Sequence, residues 1–280
     1  MEVGVQMFPS HLAIRPDELA REIEARGLDA LFLPEHTHIP TSRRTPYPAG
    51  GELPDEYRRT FDLYVALAMA SAVTDRLTLG TGICLVAQRD PIVLAKEVAS
   101  LDVLSGGRVV FGIGYGWNHD EMENHGVDPK HRRAIVREKM LAMEALWTQD
   151  EASFAGEHVV ITPSWSWPKP LQLPRPPVLI GGAAGPTLFR HIAEYADGWI
   201  PIGGGGMSVG IAELRSEFER VGRDPDTVQV TVIGAPPTPG KLEYLAQQGI
   251  GRFLVLLPAA PASTVLPLLD RCAEAADEVR

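Results

Sequence analysis

The chain has 280 residues, 45% of them hydrophobic and 22% charged, as in ordinary globular proteins. Its 26 basic and 36 acidic side chains give a formal net charge of −10, which argues against a nucleic-acid surface and gives no support for a membrane patch. The two cysteines, Cys84 and Cys272, lie far apart in sequence, make neither a disulfide framework nor a metal quartet, and read as buried thiols of a reducing cytoplasm. The opening "MEVGVQMF" reads as a strand rather than a signal peptide, and no apolar run reaches the ~18 residues of a membrane span, so a cytoplasmic protein is expected.

Short β-branched runs alternate with helical patterns along the whole chain. Strand Val3–Phe8 precedes helix Pro16–Arg26, Ala30–Pro34 precedes Thr60–Thr74, and Leu77–Cys84 precedes Pro91–Leu104. Arg108–Gly114 leads to His131–Thr148, where Val136, Met140, Met143 and Trp147 form one apolar stripe. Val178–Gly182, Gly198–Ile202, Val228–Ile233 and Arg252–Leu257 precede helices Pro186–Ala196, Gly210–Val221, Lys241–Gln248 and Ser263–Glu278. Eight such units predict an α/β fold, a TIM (β/α)8 barrel over residues 1–280, with a doubly wound open sheet as the alternative. Two connections are too long for turns. Residues 35–59 follow a strand and belong to the face where barrels keep their chemistry; residues 149–177 start on the opposite face and contain a candidate hairpin, Ser153–Ile161.

Glycines and polar residues gather at the predicted strand ends. In "RVVFGIGYGWNHDE", Trp117 breaks the Gly-x-Gly-x-x-Gly spacing, and the motif sits on the fourth strand with the next good helix near His131, which disfavours a dinucleotide fingerprint. In a barrel, Gly112 and Gly114 leave the strand mouth bare for a planar ring, with Asn118 offering both donor and acceptor; a glycine-rich turn around a packed Trp117 is the alternative. "LFLPEHTHIP" brings Glu35, His36 and His38 past the second strand. His-x-His there suggests the barrel metal hydrolases, but these need ligands at later strand ends and "GRFLVLLPAA" has none, so no metal is expected. Gly80 and Gly82 inside "TLGTGICLVAQRDP" mark a bulge or close backbone approach. Gly181, Gly182 and Ala183 in "PVLIGGAAGPTLFR" leave bare N–H groups beside a helix N-terminus, an anion or phosphate seat. None of the five lysines falls at a strand end, which disfavours Schiff-base chemistry.

Together "LFLPEHTHIP", "LGTGICLVAQRDPIVLAKEVASLDVLSGGRVVFGIGYGWNHDE", "EALWTQDEASFAGEH" and "PPVLIGGAAGPTLFRHIAEYADGWIP" resemble the luciferase-like monooxygenase superfamily, and within it the F420-dependent oxidoreductases. The resemblance runs from the first strand to about Pro201. It implies a bacterial luciferase-like barrel, often a homodimer, with a deazaflavin or flavin across the strand ends and a non-proline cis peptide at Gly82–Ile83 behind the ring. It implies cofactor contacts from Glu35, His36 and Asn118, and a phosphate seat at Gly181, Gly182 and Ala183. One residue departs: where the superfamily's sugar-phosphate dehydrogenases carry a catalytic glutamate, this chain has Tyr115.

The expected function is hydride transfer between coenzyme F420 and a small organic substrate. His36 is the expected proton donor or acceptor, His38, Tyr115 and Trp117 the substrate pocket. The alternatives are an FMN-dependent monooxygenase using reduced flavin and oxygen, and a non-enzymatic flavin- or deazaflavin-binding protein. The acidic lactyl-glutamate tail of F420 makes Arg43, Arg44, Arg58 and Arg59 candidate partners, and Tyr47, Tyr57, Trp165 and Trp167 hint at an apolar substrate.

Overall fold

A computed structural model describes residues 1–202, 207–234 and 238–278. Eight parallel strands close into a barrel in the order β1 (Glu2–Gln6), β2 (Ala30–Leu33), β3 (Thr78–Thr81), β4 (Val109–Ile113), β7 (Val178–Gly182), β8 (Gly198–Pro201), β9 (Gln229–Gly234) and β10 (Arg252–Leu256). The seam is sealed by β1 on β10, with Glu2 opposite Arg252 and Gln6 opposite Leu256. Around it run α1 (Pro16–Ala25), α2 (Leu63–Ser71), α3 (Pro91–Ser105), α5 (Arg132–Thr148), α6 (Pro186–Tyr195), α7 (Met207–Arg220), α8 (Pro239–Gln247) and α9 (Ala262–Asp277). Closure rules out the open-sheet alternative. The hairpin in the second long connection is present as β5 (Ala152–Ala155) and β6 (Val160–Ser164).

The structure differs locally from the sequence reading in three places. The third strand stops at Thr81 rather than Cys84; the peptide between Gly82 and Ile83 is cis, and pairing with β4 resumes at Cys84, which bridges Ile113. The second helix starts at Leu63 rather than Thr60, where the Asp62 carboxylate accepts from the Tyr64 and Val65 N–H groups, both at 3.0 Å. A six-residue helix, α4 (His119–Asn124), follows β4 and is too short to show an apolar period.

The strand pattern divides the core in two. Val3, Val5, Leu31, Leu33, Phe111 and Ile180 pack outward against the helices, while Ala30, Phe32, Val110, Leu179, Ile200 and Leu254 fill the barrel. Phe32 is the bulkiest interior side chain of that set, and the neighbouring strand accommodates it by lacking side chains: a Cβ on Gly80 would lie 2.4 Å from its ring. A Cβ on Gly112 would lie 2.1 Å from the Thr81 carbonyl oxygen, and one on Gly114 would lie 1.9 Å from Ile83 Cδ1.

The second long connection is pinned by Asp102 of α3. Its buried carboxylate accepts from the Leu171 and Gln172 N–H groups at 2.8 and 2.9 Å and from Gln172 Nε2 at 2.7 Å. Trp165 and Trp167 of this connection are exposed, so their aromatic surface does not serve the barrel mouth. At the strand starts lies a cavity of about 470 Å³ whose arginines are engaged: Arg252 donates to Glu2 at 2.6 Å and Arg108 to the Leu77 carbonyl at 2.8 Å.

Gly112→Ala is expected to cost about 1–3 kcal/mol through overpacking against backbone, whereas Gly185→Ala, with no atom within 4 Å of its Cβ, stays within about 0.5 kcal/mol. Urea unfolding of the two variants measures the difference.

Candidate active site

The C-terminal ends of the strands open into a cleft of about 440 Å³, within the range of small-molecule and cofactor sites. Each wall comes from a strand exit: Gln6 from β1, Glu35 and His36 from β2, Gly82 and Ile83 from β3, Tyr115 and Trp117 from β4, Gly181 and Gly182 from β7. Gln6 Nε2 donates to the Gly82 carbonyl, so β1 holds the cis peptide from two strands away. Leu85, Tyr57 and Ile83 make much of the remaining lining apolar.

His36 is nearly buried, and its Nδ1 lies 2.7 Å from Oε2 of Glu121 on α4, a fully buried side chain. Glu121 Oε1 is buried without a partner among the described residues; with the carboxylate ionised, the ring nitrogen facing Oε2 carries the proton and Nε2 is the nitrogen available to a ligand. Thr60 Oγ1 donates to the His36 carbonyl at 2.5 Å, fixing the backbone. The ring packs edge-on to Trp117 at 5.7 Å and tilted to Tyr57 at 5.2 Å. Burial, then the hydrogen bond shared with Tyr47, raises the Tyr57 phenol above its ordinary pKa.

Glu35 has a different engagement. Its carboxylate accepts from the Leu85 N–H at 2.6 Å and from Arg89 Nε at 3.0 Å, so its charge is matched inside the wall. Lys139 of α5 braces the same segment by donating to the Ala87 and Arg89 carbonyls at 2.7 and 2.6 Å; burial pulls its ammonium down to about 8. The Tyr115 hydroxyl lies 2.7 Å from His191 Nδ1 and 3.5 Å from the Tyr195 hydroxyl, and the Arg133 guanidinium stacks over its ring at 5.4 Å. Burial raises this phenol as well and lowers the His191 imidazole, which keeps both neutral near pH 7.

Gly185 precedes α6 without a side-chain cap, and Ala183 is exposed, so the first turn of this ten-residue helix presents N–H groups with no side-chain acceptor. With Gly181 and Gly182 in the cleft wall, the donor set suits an anion. Among the described residues no three His, Cys, Asp or Glu side chains gather to hold a metal ion.

A family model described as luciferase-like monooxygenase matches residues 15–277. This chain belongs to the luciferase-like monooxygenase family. A Mycobacterium tuberculosis protein of uncharacterized function is 43% identical to this luciferase-like chain over 280 residues, covering 98% of each. An F420-dependent glucose-6-phosphate dehydrogenase of Amycolatopsis mediterranei is 30% identical over 199 residues, 69% of this chain and 54% of the relative. Among solved structures, an F420-dependent secondary alcohol dehydrogenase in complex with an F420–acetone adduct superimposes with a TM-score of 0.76 over 100% of both chains at 17% identity, a likeness of fold.

Of the residues expected at the luciferase-like site, Glu35, His36, Gly82, Ile83, Tyr115, Trp117, Gly181 and Gly182 line one cleft, with Ala183 exposed beside it. Four do not. Gly112 and Gly114 lack side chains because Thr81 and Ile83 occupy that space, not to bare backbone for a ring. Asn118 is 1% exposed and its amide atoms are buried without a protein partner, as are those of Gln88, so its amide presents no surface to the cleft. His38 turns away after a bend at Thr37 and sits 2.9 Å from Asn124 Nδ2, against His125.

The expected tail-binding arginines are also corrected. Arg44 pairs with Asp120 and Glu123, and Arg58 and Arg59 both pair with Asp55, which leaves Arg43 of that set. Sequence reasoning missed Gln6, Glu121, Arg132 and Arg133. Gln6 had a signal, a lone amide in the apolar run "VGVQMF"; so did Arg132 and Arg133, two cations in the first turn of a helix, where the dipole disfavours them. Glu121 had none, because its pairing with His36 spans 85 residues.

Histidine ¹⁵N spectra of the ligand-free protein are expected to show His36 protonated at Nδ1. Glu121→Gln, which keeps an acceptor, retains that state; Glu121→Ala releases the ring toward the Nε2–H tautomer and loses about 1–3 kcal/mol of stability.

Proposed function

We propose that this luciferase-like protein is an F420-dependent oxidoreductase that moves a hydride between the deazaflavin and a small organic substrate. The observation that carries the choice of F420 over FMN is the pair Arg132 and Arg133. Both line the cleft, neither has a carboxylate within 4.0 Å among the described residues, and both occupy the first turn of α5. Arg132 Nε is buried without an acceptor. Arg132 Nη1 donates to the Pro129 carbonyl at 2.6 Å and Arg133 is exposed, so what remains is two guanidinium charges with no carboxylate beside them at a helix N-terminus, in a chain of net charge −10, a pairing that an anion would complete. A phosphate at the α6 start accounts for one anionic group in either cofactor; the arginine pair calls for a second, which F420 has in its acidic tail.

The bound deazaflavin supplies the two-electron chemistry. The chain's residues supply the rest. Gly181, Gly182 and the α6 N-terminus receive the phosphate, and Arg132 and Arg133 the acidic tail. Ile83, carried on the cis peptide that Gln6 holds, backs the ring. Trp117, Tyr57 and Leu85 exclude water. His36 gives or takes the substrate-oxygen proton at Nε2, and the Glu121 carboxylate stabilises the imidazolium so formed. Tyr115, neutral and hydrogen-bonded to His191, does not replace the glutamate of the sugar-phosphate dehydrogenases, which argues for a different substrate.

Dissociation constants for F420 and FMN, measured on cofactor-free protein, are expected to favour F420 by roughly tenfold or more, as two charge-assisted contacts give. The double variant Arg132→Gln/Arg133→Gln removes that preference and leaves FMN affinity nearly unchanged. Tighter binding of FMN by the native chain overturns the choice of cofactor.

With F420 loaded, His36→Ala is expected to lower kcat by about 10²–10⁴ while cofactor affinity changes little. Turnover at the native level excludes the proton role.

A further inference from the structure

Arg43 is the remaining unmatched cation of the first long loop, and its surroundings form a second cavity. This loop borders an open hollow of about 570 Å³, where Ile39, Pro40, Tyr47, Leu53 and Pro54 give apolar surface beside the charged Arg43, Glu52, Asp55 and Arg58. Arg43 lines it and has φ of +48°, the one positive φ outside glycine among the described residues. A long side chain in the left-handed region is held there by its surroundings, and such outliers cluster at ligand sites. The two glycines of the same loop with positive φ, Gly50 and Gly51, show that the chain had residues free of this strain nearby.

The guanidinium has the chemistry of an anion receptor. Arg43 Nη1 is buried without a partner, and no carboxylate lies within 4.0 Å of the group among the described residues. Its guanidinium carbon sits 5.9 Å from the centroid of Trp117, the same indole that packs against His36 at 5.7 Å. Tyr47 lines the loop cavity, Tyr57 lines the cleft, and their rings meet at 5.4 Å. An aromatic wall therefore joins the two spaces, and Arg43 stands where they approach each other. The other charged groups at the loop cavity are Asp55, matched by Arg58 and Arg59, and the exposed Glu52. With Asp55 already paired, Arg43 is the single guanidinium of the lining without a carboxylate beside it among the described residues, and one such charge matches a monoanion better than a phosphate dianion.

We infer that the loop cavity holds the substrate, a largely apolar organic acid whose carboxylate pairs with Arg43. That this acid is the substrate rests on the oxidoreductase reading above; that the cavity binds it does not. Its carboxylate end is the end nearest Trp117 and His36, so the carbon that reacts lies within a few bonds of it.

The test is calorimetric titration of cofactor-free protein with decanoate and with 1-decanol, its uncharged counterpart. Decanoate is expected to bind roughly tenfold or more tightly than decanol, the scale of a charge-assisted pair. Arg43→Gln and Arg43→Gly both erase that preference. The glycine variant accepts the positive φ without strain, so its melting temperature is expected to equal or exceed that of the native chain, which separates loss of the ion pair from loss of fold. Equal affinity of the native protein for decanoate and decanol, saturable binding of neither, or a preference that survives in both variants overturns the inference. The titrations are repeated in the Arg132→Gln/Arg133→Gln background, so that the cleft arginines cannot supply the preference and the outcome is independent of whether F420 or FMN binds the neighbouring cleft.

Discussion

One buried ion pair holds the mouth of the barrel together. Glu35, just past β2, and Arg89, just before α3, have side chains 4% and 13% exposed and meet through the guanidinium Nε and Nη2. Arg89 also reaches Asp62, the cap of α2, at 3.3 Å and Glu97 of α3 at 3.2 Å, and it stacks on Tyr64 at 5.0 Å. Burial works against the Arg89 charge, but the hydrogen bonds and charge of Glu35 more than offset it and hold the guanidinium pKa above its ordinary value. Removing one partner of such a pair strands the other charge in the interior, at a cost of about 3–5 kcal/mol. The segment this pair clamps contains Leu85 and follows the cis peptide, so the walls on either side of His36 share one anchor.

The form of the cleft floor follows from how the barrel is filled. Phe32 occupies the middle of the interior, and the adjoining β3 can only carry Gly80 beside it. Above that layer Ile83 packs on the barrel interior, and the space it takes forbids a side chain on Gly114. One bulky ring thus dictates bare backbone on the neighbouring strand, and the Ile83 side chain, which lines the cleft, dictates it on the next. What a flat ligand would rest on is a packed side chain carried on a peptide that Gln6 holds, and rigid support of that kind is what a site needs to hold a ligand in one pose.

This logic also explains which parts of the molecule could be read in the sequence. The eight strand–helix units are visible because local periodicity and capping residues encode them, as with Asp90, which accepts from the Ile92 and Val93 N–H groups at 2.9 Å at the start of α3. The cleft residues that directly follow strands were legible for the same reason: in a barrel, position after a strand is position at the mouth. What the sequence concealed were facts about pairing. Whether Arg44 or Arg132 is free depends on where Asp120 and Glu123 lie in space, and neither spacing nor composition gives that. The glycines were legible as bare positions, but a missing side chain looks the same whether a ligand or an isoleucine takes its place.

The distribution of charge carries the functional argument one step further. An acidic protein repels anions at long range, so anions reach it only where local positive charge outweighs the whole. Around this mouth Arg89, Arg58, Arg59 and Arg44 are matched by acids, and these stabilise walls rather than attract ligands. The unmatched ones fall into two groups. Arg132 and Arg133 stand by Tyr115, and Arg43 stands over Trp117. Tyr115 and Trp117 are two residues apart on the β4 exit, so a single short turn separates a cationic place in the cleft with Gly181 and Gly182 from a cationic place at the loop cavity. Two anionic ligands directed to the two sides of that turn would meet between Trp117 and Ile83, where His36 is the neighbouring group able to exchange a proton.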